Sequence, residues 1–180
     1  MAIPHLLNFA LLFIKINVLC AIDLKIEKME IKMKKTTRTE VFLWSIALPG
    51  FGQLLNGRYV KGLLLVALEF VINWQADLNE VIILSFHGDI KQAIQLADYH
   101  WLMFYPCVYM FGIWDAYKDA GGGVTPFAVV PFASGAFFAT TGLIFSRDFL
   151  GPMWLAIIGL VVGVVVGMLI RMFLARRLRY

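Results

Sequence analysis

Apolar residues fill this chain in long runs, and the polar residues between them come in short, sharply bounded groups. Pro126 to Ser146 and Phe149 to Ile170 carry no charge over 21 and 22 residues respectively. At about 1.5 Å per residue each is long enough, as a helix, to cross a hydrocarbon layer about 30 Å thick. Only Arg147 and Asp148 stand between them, which predicts a tight helical hairpin. Tyr99 to Tyr117 is a third long run, carrying Trp101, Tyr105, Tyr109 and Trp114, and Tyr59 to Asp77 is a fourth. Leu78 to Asp98 is mixed. Val81, Ile82, Leu84, Ile90, Ala93, Ile94 and Ala97 recur near helical spacing among acidic residues, which predicts an amphipathic segment lying on a surface and broken at His87-Gly88.

Val41 to Leu55 is apolar but reaches only about 22 Å as a helix, and Pro49-Gly50 interrupts it. It reads either as a true span or as a re-entrant half-helix. Asn56-Gly57 follows as a turn dipeptide, because both residues tolerate positive φ. Residues 1–22 form a further apolar run, read either as an N-terminal membrane helix or as the product of an early start codon, with translation opening at Met29 or Met33. Residues 23–40 read as a basic cytoplasmic segment, 41–175 as one membrane helical domain and 176–180 as a basic tail. The expected fold class is all-α: a polytopic membrane helical bundle of about four to six membrane segments, one of them a short hairpin helix broken by Pro and Gly.

Composition supports a lipid setting. The 180 residues are 61% hydrophobic and 16% charged, with a mean hydropathy of +0.78, whereas soluble domains are about a quarter charged. The net charge of +4 is clustered. Lys25, Lys28, Lys32, Lys34, Lys35 and Arg38 precede the hairpin, and Arg171, Arg176, Arg177 and Arg179 close the chain. Beside apolar helices such clusters set orientation by the positive-inside rule, so no nucleic-acid partner is expected. If Val41–Leu55 does not fully cross, four later crossings put both clusters on the cytoplasmic side. If it does cross, the C-terminal cluster lands outside, against the bias. The expected location is therefore the bacterial cytoplasmic membrane, multi-pass, with a cytoplasmic C-terminus.

The most heavily specified stretch runs from Leu48 to Gly62, where Pro49, Gly50, Gly52, Gln53, Asn56, Gly57, Tyr59, Lys61 and Gly62 combine turn-formers, polar heads and a cation. Glu69 stands alone inside an expected span. A carboxylate there is costly and normally faces a bundle interior. It reads either as a structural hydrogen-bond partner of Gln53, Asn56 or Arg58, which is preferred, or as part of an ion or proton path. Asp115 and Asp119 share a helical face at i,i+4. Catalysis or metal binding by them competes with the preferred reading, an interfacial pair for Arg58 or Lys61. His87, Asp89 and His100 fit no ligand spacing, and Cys20 and Cys107 form no CxxC motif, so no metal and no cofactor is expected. Gly159, Gly163 and Gly167 repeat every four residues and predict close helix packing, either on Pro126–Ser146 through Gly135 and Ala139 or on another subunit.

Pro49-Gly50-Phe51-Gly52-Gln53, Asn56-Gly57-Arg58-Tyr59 and Lys61-Gly62, followed later by Trp114-Asp115-Ala116-Tyr117, resemble a group of small, uncharacterised multi-pass membrane proteins of Firmicutes-type bacteria. The same hairpin is similar, more loosely, to the TM2 domain, two short helices joined by a Gly- and Tyr-containing turn, though it lacks that domain's His-Arg-Phe-Tyr core. The first resemblance implies the multi-pass architecture over most of Val41 to Arg171, and neither implies an enzymatic activity. The expectation is an integral membrane protein, not an enzyme, that acts as a structural, interaction or accessory subunit. Its partners would be the lipid bilayer and either other membrane proteins or a second copy of itself. The alternative is a small transporter or channel component using Glu69.

Overall fold

The computed structural model describes residues 36–177. The expectations for residues 1–22, for most of the basic segment 23–40 and for the last three residues lie outside the described residues. Among the described residues the protein is all-helical.

The first helix, α1 (Arg38–Ala47), opens on a side-chain N-cap: the Thr37 hydroxyl accepts from the Glu40 amide at 3.2 Å. It stops where Pro49 removes a donor and Gly50 adopts φ 96°. The chain then reverses into α2 (Phe51–Leu55). The ends of this apolar stretch meet, because the Thr36 hydroxyl donates to the Leu55 carbonyl at 3.3 Å. Asn56 and Gly57, the latter at φ 73°, turn the chain into α3 (Tyr59–Gln75).

At Ala76-Asp77 the path bends by 61° into α4 (Leu78–His87). Asp77 holds a left-handed φ of 51°, and an Asn73–Asn79 side-chain hydrogen bond of 3.2 Å spans the bend. Gly88 ends α4, and α5 (Ile90–Leu96) and α6 (Tyr99–Leu102) follow. These short helices close one end of the molecule around Ala76, Leu78, Val81, Ala93, Ala97, Tyr99 and Leu102. The segment expected to lie on a surface therefore contributes to a buried core, shared with Leu143 of the later helical hairpin, with Glu80, His87, Asp89 and Lys91 outside it.

The third apolar run is divided. It breaks at Met103-Phe104 and resumes as α7 (Tyr105–Asp119), with Pro106 in its first turn, where a missing N–H costs nothing. A 3₁₀ turn at Gly122–Val124 leads to α8 (Val130–Phe145). Phe127 at φ 57° and Pro131 set the start of α8 four residues later than the uncharged run begins. Gly151 at φ 77° and Pro152 likewise delay α9 (Gly151–Arg177).

At 27 residues, α9 is long and apolar enough to cross a membrane. Only 11% of its most apolar 18-residue stretch is buried in the protein. α3 with α4 passes the same test as one bent pair. Large apolar side chains also point outward elsewhere, among them Leu64, Phe70 and Trp74 on α3 and Phe137 on α8.

α8 and α9 pack backbone on backbone. A Cβ on Gly163 would strike the Ser134 carbonyl and come within 2.9 Å of Gly135 Cα; one on Gly167 would come within 2.6 Å of Pro131 Cα; one on Gly159 would strike the Phe138 carbonyl. Gly135 and Ala139 are buried on the facing stripe of α8. The glycine repeat thus faces the preceding helix of its own chain.

Candidate functional site

The hairpin α2–α3 is wedged against α7, and small residues make room for it. A Cβ on Gly50 would come within 2.6 Å of the Gly62 carbonyl, and one on Gly62 within 2.9 Å of the Gly50 carbonyl, so these two glycines let the arms of the hairpin touch. A Cβ on Gly52 would collide with Ser45 Oγ and come within 2.7 Å of Ala116 Cβ. Pro49, Gly50, Gly52, Gln53 and Gly62 are buried, whereas Gly57 and Tyr59 are exposed at the turn. Ser45, fully buried, turns its hydroxyl back onto the Val41 carbonyl at 2.7 Å.

Polar side chains then stitch the hairpin to α7. Gln53 is fully buried. Its amide nitrogen donates to the Gly112 carbonyl at 2.8 Å and to Asp115 Oδ2 at 3.2 Å. Asn56 Nδ2 donates to the Ala116 carbonyl at 2.8 Å. Lys61 Nζ, from the first turn of α3, lies 2.8 Å from Asp115 Oδ1 and 3.3 Å from Asp119 Oδ2, and Arg58 Nε lies 3.6 Å from Asp119 Oδ2. The two carboxylates are largely shielded, with side chains 15% and 20% exposed, while both cations reach into solvent. Each oxygen of Asp115 is thereby occupied by a donor from the hairpin, which leaves Asp115 suited to joining elements rather than to exchanging protons with a substrate.

Glu69 sits elsewhere. Of the partners expected for it, Gln53 and Asn56 are committed to α7 and Arg58 to Asp119. Glu69 lies more than a turn further along α3 than Lys61 and meets α7 near that helix's opposite end. Its Oε1 accepts from the Tyr105 hydroxyl at a long 3.4 Å. Its Oε2 is buried with no hydrogen-bond partner among the described residues. The carboxyl lines a cavity of about 340 Å³, shared with Tyr105, Tyr109, Leu102 and Leu160 and otherwise apolar. The Tyr105 and Tyr109 rings stack at 5.8 Å, and the Tyr109 hydroxyl donates to the Ile46 carbonyl at 2.7 Å.

Ser45 gives no signal in the sequence, and Tyr105 and Tyr109 stand out there only as aromatics of an apolar run, not as hydrogen-bonding groups. Ser45 and Tyr109 each sit one or two helical turns from a residue that the sequence does single out. Their polar atoms face inward, which only the pairing of α1, α2 and α7 reveals. His87 Nδ1 lies 2.8 Å from the Ile83 carbonyl of its own helix and the amide of His100 is taken by Asp98, so His87, Asp89 and His100 are not drawn into one cluster.

Compared with known protein families, with curated proteins and with solved structures, the chain matches none.

Proposed function

We propose that the protein is a multi-pass protein of the bacterial cytoplasmic membrane that acts as a structural or interaction subunit, an accessory to a larger membrane assembly or to a second copy of itself. The observation that carries this reading is α9, a 27-residue helix whose most apolar 18-residue stretch is only 11% buried in the protein. Such a surface is stable in hydrocarbon and unfavourable in water. The polar side chains of the hairpin, by contrast, are turned inward and bind helix to helix.

The meeting of Thr36 with Leu55 supports a re-entrant hairpin rather than a crossing at Val41–Leu55. Arg38, Arg58 and Arg171 then fall on one side, the side the positive-inside rule assigns to the cytoplasm. The bent α3–α4 pair, α6–α7, α8 and α9 supply four crossings.

Topology tests this. Single cysteines replace Thr37, His87, Val124 or Arg147, all exposed, in a background lacking Cys20 and Cys107, and intact cells are treated with a membrane-impermeant thiol reagent. Labelling at positions 87 and 147 alone is the expected result. Labelling at 37 or 124 would overturn the arrangement. Recovery of the chain in the alkaline-carbonate supernatant would overturn the membrane reading itself.

A second reading, a small transporter or channel component, draws on the Glu69 cavity. An acidic oxygen without a hydrogen-bond partner, facing about 340 Å³ of space, is where a cation or proton would be handled. Loss of a flux on Glu69→Gln, with expression and folding retained, would favour it.

A further inference from the structure

A second cavity, larger than the one at Glu69 and sharing Ile46, Tyr109 and Leu160 with it, lies between α1, α7, α8 and α9 and measures about 500 Å³. That is within the range of sites that hold small ligands, roughly 300–1,000 Å³. Its walls are mainly apolar and aromatic, with Phe42, Phe132 and Val164 prominent, and its polar groups gather at one end, at Thr39, Thr125 and Arg171. Arg171 Nη2 donates to Thr125 Oγ1 at 2.7 Å, which fixes the guanidinium at the rim. Arg38 brackets the same loop from the other side, its guanidinium packed on Gly121, about 3.6 Å from where a Cβ would stand.

Charge at this end is unbalanced. Asp115 and Asp119 are taken by Lys61 and Arg58. Among the described residues no carboxylate, Glu40 included, lies within ion-pair distance of Arg38 or Arg171. An apolar slot with the Arg171 guanidinium at its mouth and Arg38 beside the neighbouring Gly121 loop, neither in an ion pair among the described residues, has the chemistry of a site for a molecule with an anionic head and a hydrocarbon tail. Arginine suits such a head because its planar fork matches phosphate oxygens in pairs. Basic pockets between membrane helices on the cytoplasmic side bind anionic lipid headgroups by this means.

We propose that this slot holds an acyl chain of an anionic phospholipid whose phosphate is bound by Arg171, with Arg38, packed on the adjacent Gly121, adding positive charge nearby. The inference rests on the membrane reading above. It names the inner-leaflet lipid as the partner, because the slot is open along its side and its basic end lies with the other cations of the hairpin side. Thr125 gives up its bond from Arg171 or shares it, and its hydroxyl becomes a donor to the same phosphate.

The test uses the full chain purified in detergent and mixed with dioleoyl-phosphatidylglycerol or dioleoyl-phosphatidylcholine, with retained lipid counted by native mass spectrometry. One phosphatidylglycerol should be retained at least about tenfold more tightly than phosphatidylcholine, the scale of a charge-assisted hydrogen bond. Arg171→Gln should bring phosphatidylglycerol down to the phosphatidylcholine level, and Arg171→Lys should keep part of the preference. Met168→Trp, a half-exposed position on the wall, should weaken retention of both lipids by filling the slot without altering charge. Equal retention of the two lipids by the wild-type chain would overturn the proposal, as would an unchanged preference in Arg171→Gln. Glycerol phosphate competing as well as the lipid would overturn the acyl-chain part and leave a headgroup-only site, and oleate displacing the lipid at equal concentration would make the site one for fatty acids. Arg171→Gln is checked for folding by its thermal midpoint. A chain extracted by carbonate would fail the membrane reading instead, a separate result.

Discussion

Lys61 and Asp115 stand 54 positions apart in sequence and 2.8 Å apart in space. Their contact locks the second arm of the hairpin onto α7. Lys61 is half exposed and Asp115 mostly shielded, so the pair lies between a surface bridge, worth about 0.2–1 kcal/mol, and a buried one, where removing one partner costs about 3–5 kcal/mol. Lys61→Met is expected to cost about 1 kcal/mol, and the loss should shrink in high salt because the ammonium is accessible to screening. Asp115→Leu should cost more, about 2 kcal/mol, because it also strips a partner from the fully buried Gln53. Thermal unfolding in detergent at low and high salt checks both. Equal midpoints for wild type and Asp115→Leu would mean the contact holds nothing.

Gly50, Gly57 and Gly62 belong to one motif but answer to different constraints, and alanine substitution separates them. At Gly50 a Cβ meets both a positive φ and the Gly62 carbonyl, while at Gly62 it meets Leu54 and the Gly50 carbonyl. Gly57 has a φ of 73° with open space around it. Gly57→Ala should therefore cost only the left-handed backbone penalty, about 1–2 kcal/mol. Gly50→Ala adds a backbone clash to that penalty and should be the most damaging of the three, by upwards of about 3 kcal/mol. The order Gly50, Gly62, Gly57 in yield and thermal midpoint is the expected outcome. A chain that tolerates Gly50→Ala as well as Gly57→Ala would show the arms of the hairpin to be further apart than described.

The α8–α9 contact is a similarly direct test of packing. Gly163→Leu puts a branched side chain against the Ser134 carbonyl and Phe138, with no room to move without parting the helices. Its loss should be several times that of Val161→Leu, which adds bulk at an outward position two residues away. Thermal unfolding of the two variants in detergent checks this.

The hairpin and the glycine face could be read from sequence because each writes its geometry into residue type. Only glycine fits where Gly50 meets Gly62, and a four-residue repeat of glycines leaves one reading for a helix face. The placement of the helix ends could not be read so well. The division of the third apolar run at Met103-Phe104 depends on Pro106 being accepted as a first-turn residue rather than one at mid-helix. The late start of α8 depends on Phe127 taking a conformation that its type disfavours. The partner of Glu69 was equally hidden. Gln53 and Asn56 were plausible on spacing alone, and only the docking of α2 onto α7, which consumes both, leaves Glu69 to Tyr105. That the two ends of the Val41–Leu55 stretch meet is a relation between Thr36 and Leu55 that no local pattern encodes.

Glu69 is the residue at which stability and use should part. Its one hydrogen bond, from Tyr105, is long at 3.4 Å, and its second oxygen is buried without a partner. In the membrane reading proposed above, a carboxylate at mid-depth costs about 2.5–3.5 kcal/mol on insertion scales, and a single long hydrogen bond returns at most about 1 kcal/mol. On folding grounds alone the residue is a liability. Tyr105→Phe is accordingly expected to lower stability by no more than about 0.5 kcal/mol, since the ring stays packed on Tyr109. Glu69→Gln should leave the thermal midpoint in detergent unchanged or raised, and Glu69→Leu should raise it further by removing the unpaired polar atom. If both variants are at least as stable as the wild type and cells carrying them lose whatever the gene supports, the carboxyl is kept for its chemistry, and the transporter reading gains over the structural one. If Glu69→Leu instead unfolds the protein, the Tyr105 contact is stronger than its length suggests and the residue is part of the frame.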